Sequence, residues 1–150
     1  MTVLELKNVS YRYKDASPDE YVLKDIDYRF DTGKLYIIKG RSGSGKTTFL
    51  SLISGLETGY EGSILYENNE LKKINLDRYR NHDIGIVFQS YNLLPSLNAS
   101  ENIILSMDIN GIKTDKKKKA LELMKAVGLD ESYATRRILK LSGGEQQRIS

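Results

Sequence analysis

The stretch Leu35-Tyr36-Ile37-Ile38-Lys39-Gly40-Arg41-Ser42-Gly43-Ser44-Gly45-Lys46-Thr47-Thr48-Phe49-Leu50-Ser51-Leu52-Ile53-Ser54 decides how the chain is read. Residues 40–47 fill every position of the pattern G-x-x-x-x-G-K-[ST]. Leu35 to Lys39 is short, apolar and rich in β-branched and aromatic residues, which predicts a buried strand. The residues after the loop predict a helix with Phe49, Leu50 and Ile53 on one face, stopping near Gly55. Strand, glycine-rich turn and helix is the context in which the pattern binds phosphate. Gly40, Gly43 and Gly45 carry no Cβ, so the backbone can close around an anion and take up positive φ. Inward-pointing amides and the positive end of the helix dipole then favour negative charge. The pattern places Lys46 on the β- and γ-phosphates and the Thr47 hydroxyl on Mg²⁺. A nucleoside triphosphate is the implied ligand.

Composition narrows the classes without choosing among them. At 150 residues the chain is long enough for one domain with a real core, and 39% hydrophobic with 29% charged residues fits a globular protein. No apolar run reaches membrane-spanning length, and the N-terminus lacks a basic segment followed by an apolar one. A cytoplasmic location is expected, unless a partner brings the chain to a membrane. With no cysteine there are no disulfides, thiolate nucleophiles or Cys-type zinc sites, and the single His82 disfavours a histidine-based metal or catalytic centre. A net charge of +3 is too mild to argue for nucleic acid. The run Lys116-Lys117-Lys118-Lys119 reads as a solvated face near a helix start.

Along the chain, residues 3–7 alternate as a half-buried strand, Lys14 to Glu20 forms a polar turn around Pro18, and Tyr21 to Phe30 alternates again as a second antiparallel strand. Asp31 to Lys34 turns into the phosphate-loop strand, and Ser63 to Tyr66 is a further short strand after a turn bracketed by Gly59 and Gly62. A short helix is expected around Leu76 to Arg80. Ile84-Gly85-Ile86-Val87-Phe88 is nearly all apolar, as buried parallel strands are, and ends in Gln89. Ser90 to Leu97 is a loop with many large apolar residues, which either packs on its own domain or marks a partner contact. Ser100 to Met107 and Asp115 to Val127 read as helices, with Ala120, Leu121, Met124 and Val127 at helical spacing for core packing. The expected fold class is α/β. It comprises a phosphate-loop NTPase core at about 34–98, an N-terminal antiparallel β-layer at about 1–33 and a C-terminal helical subdomain at about 99–150, with an incomplete parallel sheet.

The second informative motif is Leu141-Ser142-Gly143-Gly144-Glu145-Gln146-Gln147-Arg148. Ser142 and Glu145 are spaced as a capping box, and the two glycines leave the first helical turn uncovered. Taken with residues 40–47, this motif makes the sequence resemble the nucleotide-binding domain of ATP-binding cassette (ABC) transporters over essentially its whole length. Leu141 to Glu145 matches that family's signature motif, and Gln89 matches its Q-loop glutamine. Tyr13, in Asn8-Val9-Ser10-Tyr11-Arg12-Tyr13, falls where the family places an aromatic that stacks on adenine, with Tyr11 as a competitor. Val87 to Pro95 with Glu101-Asn102-Ile103 looks most like the subgroup of lipoprotein-release, macrolide-export and peptide-resistance transporters.

The resemblance implies ATP and Mg²⁺ as ligands and a nucleotide site made of Tyr13, Gly40, Arg41, Ser42, Gly43, Ser44, Gly45, Lys46, Thr47, Thr48, Gln89, Ser142, Gly143, Gly144 and Glu145. Within it Lys46 and Gln89 carry the catalytic roles, and Thr47 and Gln89 hold the metal. Two domains would pair head to tail, so that Ser142, Gly143 and Gly144 grip a γ-phosphate bound to the other copy. The loop after Gln89 would carry the change to an integral membrane permease, leaving the subunit peripheral on the inner face of the membrane.

In the family, residues after the signature helix supply the Walker B aspartate, a catalytic glutamate and a switch histidine, and none of these is found in residues 1–150. Ala126 to Glu131 ends in Asp-Glu but precedes the signature motif and reads as a helix end and turn, and His82 precedes Gln89, as a surface residue. The expectation is an N-terminal portion of a longer ATPase subunit that binds ATP with little turnover and exposes an open sheet position. The alternatives are a non-transport cassette ATPase in cell-wall remodelling, a binding module without turnover, and a small phosphate-loop kinase, against which Leu141 to Glu145 argues.

Overall fold

Alternating apolar and polar residues in Val3-Leu4-Glu5-Leu6 put Leu4 and Leu6 on one face of a strand, where both are buried. That strand, β1 (Thr2–Tyr11), pairs antiparallel with β2 (Leu23–Asp31) on one side and β3 (Glu61–Tyr66) on the other. A short β4 (Asn69–Glu70) completes the order β2-β1-β3-β4. The β3–β4 hairpin turns at Glu67 and Asn68, whose φ values of 47° and 66° are both positive, as the tight hairpin turn of matching twist requires. The computed structural model describes all residues from Met1 to Ser150, and the chain divides into two compact units, Met1–Gly85 and Ile86–Ser150.

In the first unit the helix α1 (Lys46–Ile53) packs on this sheet. Leu52 is fully buried among Leu4, Leu6, Val9, Ile64 and Leu71. The buried stripe of α1 is Thr48 and Leu52, flanked by Phe49 and Ile53, while Leu50 is 51% exposed. The face expected from Phe49, Leu50 and Ile53 is thus rotated. In eight residues two overlapping stripes satisfy helical spacing equally well, and packing chooses between them. A one-turn α2 (Leu76–Arg78) follows, capped by Asn75, and continues into a wider turn at Tyr79–Asp83 that leaves His82 on the surface.

The two segments expected as buried parallel strands are not strands. Residues 35–39 carry no regular structure, with Leu35 90% and Ile37 72% exposed, and residues 84–88 likewise leave Val87 78% exposed. Neither 35–39 nor 85–88 makes a backbone hydrogen bond. Apolar composition marks a segment for burial, but a strand exists only through its ladder, and no segment of residues 1–150 pairs with either one. The four-stranded sheet is antiparallel throughout.

The second unit is helical. Helix α3 (Ala99–Ile109) begins at a capping box in which Asn98 accepts from the Glu101 amide and Glu101 from the Asn98 amide. Helix α4 (Lys116–Ala126) is capped by Asp115, with Lys117 to Lys119 exposed and Lys116 paired with Asp108. It ends at Val127, with Gly128 at φ 73° and the Leu129 amide bonded to the Met124 carbonyl, so Ala126 to Glu131 is the expected helix end. Val127 is 43% exposed, outside the Ala120 and Met124 stripe. Helix α5 (Gly143–Ile149) closes the unit, whose core joins Ala99, Met124, Leu129, Ile138, Leu141 and Ile149. No helix is long and apolar enough to cross a membrane.

Candidate functional site

The loop Gly40 to Gly45 enters α1 through Gly45, which holds the left-handed conformation at φ 82°. A Cβ there would lie 3.0 Å from the Val22 carbonyl oxygen and 3.1 Å from Leu23 Cδ2, so a larger residue would be strained by its φ and crowded by the entry to β2. Gly43 is also at positive φ, 79°. The Ser44 amide donates to the Arg41 carbonyl at 3.2 Å, and Phe49 starts the helical ladder by donating to Gly45 at 2.8 Å. The intervening amides of Gly45, Lys46, Thr47 and Thr48 have no acceptor in the chain. No acidic residue occupies the first turn of α1. Unpaired N–H groups, the positive helix end and the Lys46 ammonium therefore converge, an arrangement chemically suited to a polyanion.

Lys46 lies across this turn, its Nζ donating to the Gly40 carbonyl at 2.8 Å and the Arg41 carbonyl at 2.7 Å. Arg41, Ser42 and Thr47 are exposed, and the Thr47 hydroxyl has no partner in the chain. Thr48 is buried, and its Oγ1 is 2.9 Å from the Tyr13 hydroxyl. Sequence reasoning placed both residues at the site and missed the bond between them, which joins positions 35 apart. Of the two tyrosines left open as a base platform, Tyr11 is buried and Tyr13 is 53% exposed. Burial first, then the nearby Glu57 carboxylate, pushes the Tyr11 hydroxyl above its ordinary pKa. Glu57 is itself held below the usual carboxylate range, chiefly by the Gly59 amide. Tyr13 borders a cavity of ≈ 380 Å³ lined also by Ser10, Arg12, Lys14 and Glu61.

In the second unit, Gln89 is exposed in a bend and does not end a strand as expected, because residues 84–88 form none. The loop after it is anchored by Asn102, buried in α3, which accepts from the Leu94 amide at 2.8 Å and donates back to the Leu94 carbonyl at 3.2 Å. At α5 both halves of the capping box are present, the Ser142 amide donating to Glu145 at 2.7 Å and the Glu145 amide to Ser142 Oγ at 3.4 Å. The Ser142 amide is the main reason the Glu145 carboxyl sits below its ordinary pKa. Ser142, Gly143 and Gly144 are exposed, and a Cβ on Gly144 would meet nothing within 4 Å. A Cβ on Gly143 would come within 3.0 Å of the Tyr91 hydroxyl, so the loop after Gln89 rests on the first turn of α5. No three His, Cys, Asp or Glu side chains cluster to hold a metal ion.

Comparison with known proteins places these features in one family. Residues 23–150 match the family described as ABC transporter. The chain is 45% identical over 151 residues to an uncharacterized ABC transporter ATP-binding protein of Bacillus subtilis, YclH, covering 100% of this chain and 66% of that protein. It is 38% identical over 152 residues to the lipoprotein-releasing system ATP-binding protein LolD of Idiomarina loihiensis, covering 99% of this chain and 66% of that one. Among solved structures, the dimeric post-hydrolysis state of the cassette MJ0796 bound to ADP and Pi superposes with a TM-score of 0.86 at 35% identity, over 97% of this chain and 66% of that chain. The chain thus spans about two thirds of the length of these relatives. With the glycine-rich turn on one unit and the serine-capped helix on the other, the chain belongs to the ATP-binding domain family of ABC transporters.

Proposed function

We propose that this chain binds ATP in the turn from Gly40 to Thr48 and works as part of an ATPase subunit that drives a membrane permease. The observation that carries the reading is the entrance to α1, where four successive amides lack acceptors, no carboxylate intrudes and Lys46 lies across the opening. Lys46 would exchange its bonds to the Gly40 and Arg41 carbonyls for phosphate oxygens, and the amides of residues 45–48 would take the rest. Tyr13, exposed where Tyr11 is buried, is the residue available to stack on the base.

Mg²⁺ would be held by Thr47, whose hydroxyl is unengaged, and by Gln89, where it would neutralise charge on the transferred phosphoryl group. A hydroxyl and a side-chain amide oxygen are hard oxygen donors of the kind Mg²⁺ accepts, and phosphate and water would supply its remaining ligands. Ser142, Gly143 and Gly144 would contact the nucleotide of a second copy, a reading supported by the dimeric state named for MJ0796. Such a shared phosphate would couple nucleotide state to association, since hydrolysis removes the contact. Transport coupling is supported by the relatives' names as transporter ATP-binding proteins, and a position on the inner membrane face would follow from docking on a permease.

Calorimetric titration tests the ligand class. Magnesium ATP and ADP are expected to bind and adenosine to show no binding at millimolar concentration. Equal affinity for adenosine and ATP would contradict a phosphate-centred site.

A further inference from the structure

We propose that Asn102 is a positioning residue that joins the loop after Gln89 to the serine-capped tip of α5, so that the two act as one piece. This rests on the reading above, in which that tip meets the nucleotide of a second copy, and adds the residue that holds loop and tip together. The Asn102 side chain is 9% exposed, and its partners are all backbone groups. Its carboxamide accepts from the Leu94 amide at 2.8 Å and donates to the Leu94 carbonyl at 3.2 Å and the Asn98 carbonyl at 2.9 Å. One side chain thereby engages both polar groups of Leu94, as a neighbouring strand would.

The same turn of α3 also grips the chain that leads into α5. The Ala99 amide donates to the Arg136 carbonyl and the Ser100 amide to the Ala134 carbonyl, both at 3.0 Å, and Asn98 pairs with Arg137 in an isolated bridge. One tight turn, Ile138–Lys140, then leads to Leu141 and Ser142. From the other side, the loop reaches α5 directly. The Tyr91 hydroxyl would stand 3.0 Å from a Cβ on Gly143, and Leu93 packs on the core that contains Leu141 and Ile149. Loop, α3 and tip thus close a ring of contacts, and Asn102 makes the hydrogen bonds that hold the loop in it. In the reading above, Gln89 takes the metal of the chain's own nucleotide, and Ser142, Gly143 and Gly144 take the nucleotide of the second copy. A segment already fixed at both places loses little freedom when the copies meet, whereas a slack loop would have to be ordered at that moment. Asn102 touches neither ligand, so its contribution appears in the pairing of copies and not in the chain's own grip on ATP.

Asn102→Leu keeps the volume and removes the bonds. Two measurements with magnesium ATP compare it with the wild type: self-association by sedimentation velocity, and affinity by a binding titration at nanomolar protein, where copies stay apart. Association is expected to weaken about tenfold, as Leu94 loses its partner, with ATP affinity within about twofold of wild type. Leu129→Val, which trims the same core at the end of α4, is expected to leave association within about twofold. In hydrogen exchange, the Leu94 amide is expected to lose protection in Asn102→Leu while the amides of α3 and α5 keep theirs. Wild-type association in Asn102→Leu, an equal loss in Leu129→Val, a matching loss of ATP affinity, or lost protection throughout α3 and α5 would each overturn the proposal alone. A wild-type protein that binds ATP without self-association would instead overturn the second-copy reading, and this inference with it.

Discussion

Tyr79 shows how one side chain can link the helix of the phosphate turn to the sheet beneath it. It is 3% exposed, its ring packs against Tyr66 with centroids 4.8 Å apart, and its hydroxyl donates to the Ile53 carbonyl at 2.8 Å, at the last turn of α1. Burial, with smaller contributions from Tyr66 and Asp83, pushes this phenol from 10.0 up to about 12. A raised pKa in the folded state means that the neutral form stabilises the fold. That contribution is complete below pH 10 and fades as pH climbs through about 12. Urea unfolding between pH 8 and 11.5 is therefore expected to show falling stability above about pH 10, with a shallower fall in Tyr79→Phe. At neutral pH the same variant is expected to be less stable by about 1 kcal/mol, since the Ile53 carbonyl loses its donor. Identical pH slopes in the two proteins would contradict this assignment. At this scale the sequence separated structural roles only where geometry demands a particular residue. Gly45, at positive φ before α1, and Ser142, the cap of α5, were legible in that way, whereas the choice between Tyr11 and Tyr13 was not. Both are tyrosines near a strand end, and only the end of β1 at Tyr11 buries one and frees the other.

Among the elements, the central strand β1 carries a defect that its neighbours are built to fit. Asn8 sits at φ 50°, where the register with β2 shifts between Leu6 and Val9 and that with β3 between Lys7 and Ser10. The Asn8 amide is taken by the Asp27 carboxylate at 2.9 Å, and Gly62 of β3 faces the kink at φ 81°. A Cβ on Gly62 would lie 2.2 Å from the Asn8 carbonyl oxygen and 2.6 Å from that of Lys7. Both are backbone atoms, so a side chain can be admitted only by moving the strand. Gly62→Ala is expected to cost about 3 kcal/mol or more of stability, measured by chemical denaturation. A loss below about 0.5 kcal/mol would show that the kink relaxes freely. The sequence placed Gly62 beside a turn because glycine marks turns and bulges alike. The helix starts were more legible, since Ser142 and Glu145 announce a capping box by identity and spacing, and both bonds form. The parallel strands were misread for the opposite reason, as residues 35–39 and 84–88 have the composition of buried strands but no ladder partner.

For the molecule as a whole, the two units carry complementary halves of one reading. Met1–Gly85 holds the antiparallel sheet, the phosphate turn and the two tyrosines, and Ile86–Ser150 holds Gln89 and the serine-capped α5. Family membership was legible because two short motifs, more than ninety residues apart, each require fixed residue types. The exposure of Leu35, Ile37 and Val87 was anticipated only as an open sheet position, without the loss of strand structure that accompanies it. None of these features bears on ligand binding as directly as the cation lying across the turn. The decisive measurement is the affinity for magnesium ATP of the wild-type protein and of Lys46→Ala, by calorimetry at fixed ionic strength. The account predicts a loss of about ten- to a hundredfold, as expected when charge-assisted bonds to phosphate are removed, with the fold unchanged by circular dichroism. Equal affinity in the two proteins would contradict it.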